Sequence, residues 1–108
     1  MLMKKIEQIN EFDQLIKDKN SFFFMKHSLT CPISAAAYDE YKKFDHEADA
    51  DVYYLAVQES RELSNHIAQT FGIRHESPQA IYFKNGEPVW NASHNKIKAN
   101  SLKDQVKN

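Results

Sequence analysis

The chain has 108 residues, 42% of them hydrophobic, and a formal charge of −1. That fits one folded domain over residues 1–108 with a single core, and it gives no basic footprint for nucleic acid or an anionic membrane. No apolar run nears the roughly 20 residues of a membrane span, no apolar stretch of secretory type follows the early lysines, and a lone cysteine excludes a disulfide framework, so the reading is a cytoplasmic protein; the sequence shows no obvious interface, and a monomer is the default.

Lys4 to Gln8 reads as a short first strand. Asn10 is placed to cap a helix over Glu11 to Lys19, with Phe12, Leu15 and Ile16 on its inner face. Lys19-Asn20-Ser21 reads as a turn. Ser21 to Lys26 holds Phe22, Phe23, Phe24 and Met25, a nearly continuous apolar run that predicts a strand buried on both faces. A loop from His27 to Thr30 follows. Thr30 is the predicted N-cap of the next helix and Pro32 falls in its first turn, where a missing N–H costs little. That helix continues over Ala35 to Phe44, with Ala36, Tyr38, Tyr41 and Phe44 as packing residues. The acidic stretch from Asp45 to Asp51 ends it and reads as a solvated turn.

Val52 to Val57 is a second buried strand. Ser60 caps a helix from Arg61 to Phe71 whose Leu63, Ile67 and Phe71 form one stripe, and Gly72 suits its C-terminal end. Ser77-Pro78 precedes a strand from Gln79 to Phe83. Asn85-Gly86 predicts a hairpin into Pro88 to Ala92. A last amphipathic helix covers about Asn95 to Val106, with Ile97, Leu102 and Val106 inward. Alternating strands and helices that end in a hairpin predict an α/β protein, a central mixed β-sheet flanked by helices.

The residues that carry chemistry cluster around Thr30-Cys31-Pro32-Ile33-Ser34. Cys31 sits between a strand and a helix start, where free backbone N–H groups and the helix dipole favour a thiolate, the nucleophile of thiol–disulfide exchange. The plainer reading is a small buried apolar residue. Ser34, one turn later, can hydrogen-bond a thiolate but cannot close a disulfide; otherwise it is a solvated first-turn residue. Pro32 removes one N–H near the sulfur or simply starts the helix. Thr30 is a cap or a side-chain contact for a bound thiol. Lys26 and His27, just upstream, are solvated strand-end residues, charges acting on the thiol, or contacts for a carboxylate. The histidines show no metal-ligand spacing, so no metal site is expected.

This order of elements, with a cysteine after the first strong strand and a proline before the hairpin, resembles the thioredoxin-like fold over essentially the whole chain. The Phe-rich strand, Lys26-His27-Ser28 and Thr30-Cys31-Pro32-Ile33-Ser34 are similar to the YtxJ family, the monothiol bacilliredoxins of bacillithiol-using bacteria. The resemblance implies an enzyme, a thiol-disulfide oxidoreductase that removes bacillithiol from mixed disulfides on S-bacillithiolated proteins. It implies Cys31 as nucleophile, bacillithiol as co-substrate thiol with no bound cofactor, and a second small thiol or a partner thiol reductase to resolve the adduct. It also implies a cis bond before Pro78, with the Ser77 backbone offered to an extended substrate segment. After the last strand, where related folds grip the small thiol, this chain has Ala92-Ser93-His94 in place of the glycine- and Asp-containing glutaredoxin signature, and His94 is a candidate contact. Two other readings are a non-catalytic thioredoxin-like adaptor and a monothiol glutaredoxin-like iron–sulfur cluster carrier. The cluster carriers have a glycine where Pro32 stands. A peroxidase signature is broken at His27.

Overall fold

The computed structural model describes residues 3–47 and 50–107. Five strands form one mixed sheet in the order β1-β3-β2-β4-β5. They are β1 (Lys4–Lys5), β2 (Ser21–His27), β3 (Val52–Ala56), β4 (Gln79–Lys84) and β5 (Glu87–Ser93). The helices are α1 (Ile9–Asp18), α2 (Pro32–Glu47), α3 (Arg61–Phe71) and α4 (Ala99–Lys107), with a 3-10 turn over His94–Lys96 before the last. β1 and β2 run parallel to β3, while β4 is antiparallel to both β2 and β5. None of the described helices is long and apolar enough to cross a membrane.

The Phe-rich run explains the three-layer arrangement. Successive side chains of a strand point to opposite faces. Phe22 and Phe24 therefore join Phe12 of α1 and Leu63 and Ile67 of α3, while Phe23 and Met25 join Tyr41 and Phe44 of α2 and Leu102 of α4. Both faces are closed, so β2 carries no polar alternation. The buried phenol of Tyr41 donates to the Tyr53 carbonyl at 2.8 Å, and burial holds its pKa well above 10. The hairpin has the expected turn, with Asn85 and Gly86 at φ 55° and 79°, the type I′ geometry that matches strand twist.

Several boundaries differ from the sequence reading, each for a local reason. α1 starts two residues earlier than Asn10 predicts, because the Glu11 carboxylate reaches back to the Gln8 N–H at 3.1 Å and makes Gln8 the cap. The second helix has its first intrahelical acceptor in the Cys31 carbonyl, bonded to the Ala35 N–H at 3.0 Å. Cys31, not Thr30, is thus the N-cap residue. Within α2 the inward stripe is Ala37, Tyr41 and Phe44; Ala36 lies about 100° off that stripe and is exposed. β3 ends at Ala56, and Ser60 stands at the α3 cap position without a side-chain cap bond.

Asp45 is 3% exposed, inside the last turns of α2, so it is no part of a solvated turn, and burial pushes its carboxyl pKa up. Positions 48 and 49 of that acidic stretch lie outside the described residues. The last predicted helix is a 3-10 turn followed by α4, because Ala99 N–H is capped from outside by Glu40 Oε1 at 3.0 Å. Ile97 and Leu102 are buried as expected, but Val106 is 43% exposed, since the core on this face ends at Leu102.

Candidate active site

The parallel register of β2 and β3, with His27 opposite Ala56, sets their C-terminal ends side by side. The antiparallel register of β2 and β4 pairs Lys26 with Gln79, so Pro78 arrives opposite the end of β2. Cys31, Pro78 and the loops after β2 and β3 are thereby gathered at one edge of the sheet. In an open α/β sheet such an edge is where ligands bind.

Cys31 is half-exposed. As the N-cap of a 16-residue helix it occupies the position from which a side chain faces the N–H groups of the second and third helical residues, here Ile33 and Ser34. Pro32 at the first helical position has no N–H to offer. Pro32 and Ile33 are exposed, Ile33 to 52%. The Ser77–Pro78 bond is cis, as the resemblance implied. The Pro78 carbonyl accepts the His94 N–H at 3.0 Å, which ties the end of β5 to this loop. The Ser77 N–H and C=O have no hydrogen-bond partner among the described residues. A groove of about 320 Å³ runs from Pro32 and Ile33 past Ala36 to His94, Asn95 and Lys98.

Ser34 is fully buried rather than solvated. Its Oγ accepts the Ser28 N–H at 2.8 Å and lies 3.0 Å from His27 Nδ1. The His27 ring stacks on Tyr38 at 4.5 Å, and burial lowers its pKa below the ordinary 6.5. His27 is therefore held toward its neutral form, and its Nδ1 shares a hydrogen bond with the Ser34 hydroxyl. Ser34 thus organises the loop and the imidazole.

Strand alternation sends Lys26 to the other face of the sheet, toward α3. It is fully buried, and its Nζ donates to the Ser64 carbonyl at 3.0 Å and lies 3.2 Å from His75 Nδ1. Burial pushes its pKa down from 10.5 to about 8. The unfolded chain therefore binds the extra proton between those values, so stability rises with pH from about 8 until tyrosine ionisation opposes it near 10. We expect the unfolding free energy of the wild type to climb between pH 8 and 10 and that climb to flatten in Lys26→Met. Urea melts at the two pH values measure it; an equal climb in the variant removes Lys26 as its source.

One residue that the sequence reading did not single out belongs to the site. Gln58, in the turn after β3, bonds three successive residues of the loop that leads to Cys31. Its Oε1 accepts the Leu29 N–H at 3.0 Å, and its Nε2 donates to Ser28 Oγ at 2.9 Å and Thr30 Oγ1 at 3.3 Å. No local pattern marks Gln58; only the β2–β3 register brings it there.

A solved structure described as a candidate oxidoreductase with a thioredoxin fold is 49% identical to this chain, covers 98% of it and 94% of its own length, and superposes with a TM-score of 0.92. Thioredoxin from Schistosoma mansoni (16% identity, 99% and 97% coverage, TM-score 0.78) and a mutant thioredoxin from Halobacterium salinarum (19%, 96% and 87%, 0.75) share the fold. The sheet order, the cysteine at the α2 N-terminus and the cis proline facing the end of β2 define a thioredoxin-fold oxidoreductase. The profile of the family Monothiol bacilliredoxin BrxC matches residues 4–102, and the chain belongs to that monothiol bacilliredoxin family.

Proposed function

We propose that this protein removes bacillithiol from mixed disulfides on cytoplasmic proteins, acting as a monomer with Cys31 as its nucleophile. The observation that carries the reading is the placement of the chain's only cysteine: half-exposed, at the N-cap of α2, with a serine one turn later. A sulfur there gains from the helix dipole and the free N–H groups when it carries negative charge. Cys31 Sγ attacks the bacillithiol sulfur of a protein–S–S–bacillithiol bond in line. A new S–S bond forms to Cys31, the old one breaks, and the target protein leaves as its thiolate. A second bacillithiol, or the thiol of a partner reductase, then attacks the adduct and restores Cys31.

The unpaired Ser77 N–H and C=O support this by offering an extended substrate segment the main-chain bonds of an added strand. The groove beside Pro32 and Ile33 receives the rest of the small thiol, and His94 and Lys98 at its far end suit the carboxylates of bacillithiol. Thr30 and Ser34 act on the loop that presents the sulfur, and Lys26 and His27 hold the end of β2 that precedes it.

The test is intact mass after mixing the reduced protein with a bacillithiolated protein, beside a glutathionylated substrate. One bacillithiol transferred to Cys31 with release of the substrate thiol, faster than glutathione is transferred, is the expected result. Absence of any adduct on the wild type removes the de-bacillithiolation reading.

A further inference from the structure

The loop between β2 and α2 must hold Cys31 at the N-cap, yet Leu29 and Thr30 are exposed and belong to neither apolar cluster. What holds the loop is polar. From the inside, Ser34 Oγ takes the Ser28 N–H. From the outside, Gln58 takes the Leu29 N–H and donates to the Ser28 and Thr30 hydroxyls. Gln58 is itself on a fixed base. The Val57 N–H bonds the His27 carbonyl at 2.8 Å, and the Glu59 and Ser60 N–H groups both bond the Ala56 carbonyl at 3.0 Å.

We propose that Gln58 is a positioning residue for the Cys31 chemistry, which rests on Cys31 being the nucleophile. It sets the loop's path and also the direction of its hydroxyl protons. A backbone N–H can only donate, so the Leu29 bond fixes Oε1 on that side and turns Nε2 toward the two hydroxyls. Ser28 Oγ and Thr30 Oγ1 are then acceptors toward Gln58. The Thr30 proton stays available as a donor one residue before the sulfur, where negative charge gathers during exchange and leaves again. A glutamate in the same place keeps the Leu29 bond but reverses the other two, because a carboxylate accepts the hydroxyl protons and adds a negative charge beside the site.

The two roles separate by substitution. The experiment measures the rate of Cys31 exchange with a small aromatic disulfide against pH, together with thermal melts, for wild type, Gln58→Ala and Gln58→Glu. Gln58→Ala is expected to fold and to lose about tenfold in rate through a loosened loop. Gln58→Glu is expected to melt close to the wild type, lose more than Gln58→Ala at neutral pH, and shift its rate profile to more alkaline pH. Wild-type rate and profile in both folded variants overturns the inference and leaves Cys31 as nucleophile. Equal losses with unshifted profiles reduce Gln58 to a structural role and also overturn it. A wild type that does not exchange at all overturns the reading of Cys31, and with it this one.

Discussion

Cys31→Ser will fold like the wild type and lose thiol–disulfide exchange by at least about a thousandfold. The substitution changes one atom at a half-exposed position, so little packing is lost and stability should stay within about 0.5 kcal/mol. Serine is a natural N-cap, which protects the start of α2. The chemistry does not survive, because a hydroxyl at neutral pH is neither ionised nor able to form a disulfide bond. The chain holds no second cysteine to take over. For the same reason the wild type, given a disulfide and no resolving thiol, should stop as a one-to-one mixed disulfide and never oxidise internally. A spectrophotometric exchange assay and a thermal melt on both proteins decide it. If Cys31→Ser keeps more than a tenth of the wild-type rate, the reaction does not pass through Cys31.

Phe12→Ala will be the most costly single truncation in the fold. Phe12 is 1% exposed, and its ring meets Phe22, Phe24, Phe71 and Phe83 edge-on, with centroids 5.2–6.3 Å apart. It joins α1 to the sheet and to α3, so the layer on that face has one keystone. Removing a buried Phe ring costs about 3–5 kcal/mol, the lost transfer energy plus that of a cavity the neighbours only partly fill. Domains of this size have about 5–15 kcal/mol in all. The melting temperature should fall by at least about 12 °C. Val106→Ala, at an exposed position, should stay within about 0.5 kcal/mol. A Phe12→Ala protein that melts within a few degrees of wild type would show that α1 is not held by this cluster.

β2, β3 and β4 were legible because their apolar runs are dense, whereas the first strand, read as Lys4 to Gln8, is only Lys4–Lys5, since Gln8 caps α1. Ser21 to Lys26 reads as a doubly buried strand from composition alone, and β2 is that strand extended by one residue. Arg61–Phe71 and the Asn85-Gly86 turn were equally legible, since a glycine at φ 64° ends the helix and both turn residues adopt positive φ. Legibility failed where a bond from a distant residue decides a local question. Glu40 caps α4 from another helix. Gln58, after β3, reaches Thr30 in the loop after the neighbouring β2, and the Cys31 carbonyl takes the cap position that Thr30 resembles.

The sequence by itself determined the alternation of strands and helices, the two-faced β2 and the lone nucleophile candidate, because these follow from residue type and local spacing; the cis bond before Pro78 came only from the family resemblance. Only the tertiary structure decided which residues serve the sulfur. Lys26 and His27 are neighbours in the chain, yet strand alternation puts the buried amine on α3 and the imidazole on Ser34. Ser34 is a buried tie rather than a solvated turn residue, and Gln58 enters only through the register of β2 with β3. A strand's period of two and its pairing register are short-range rules, but what lies on each face and across each edge is set by the whole sheet.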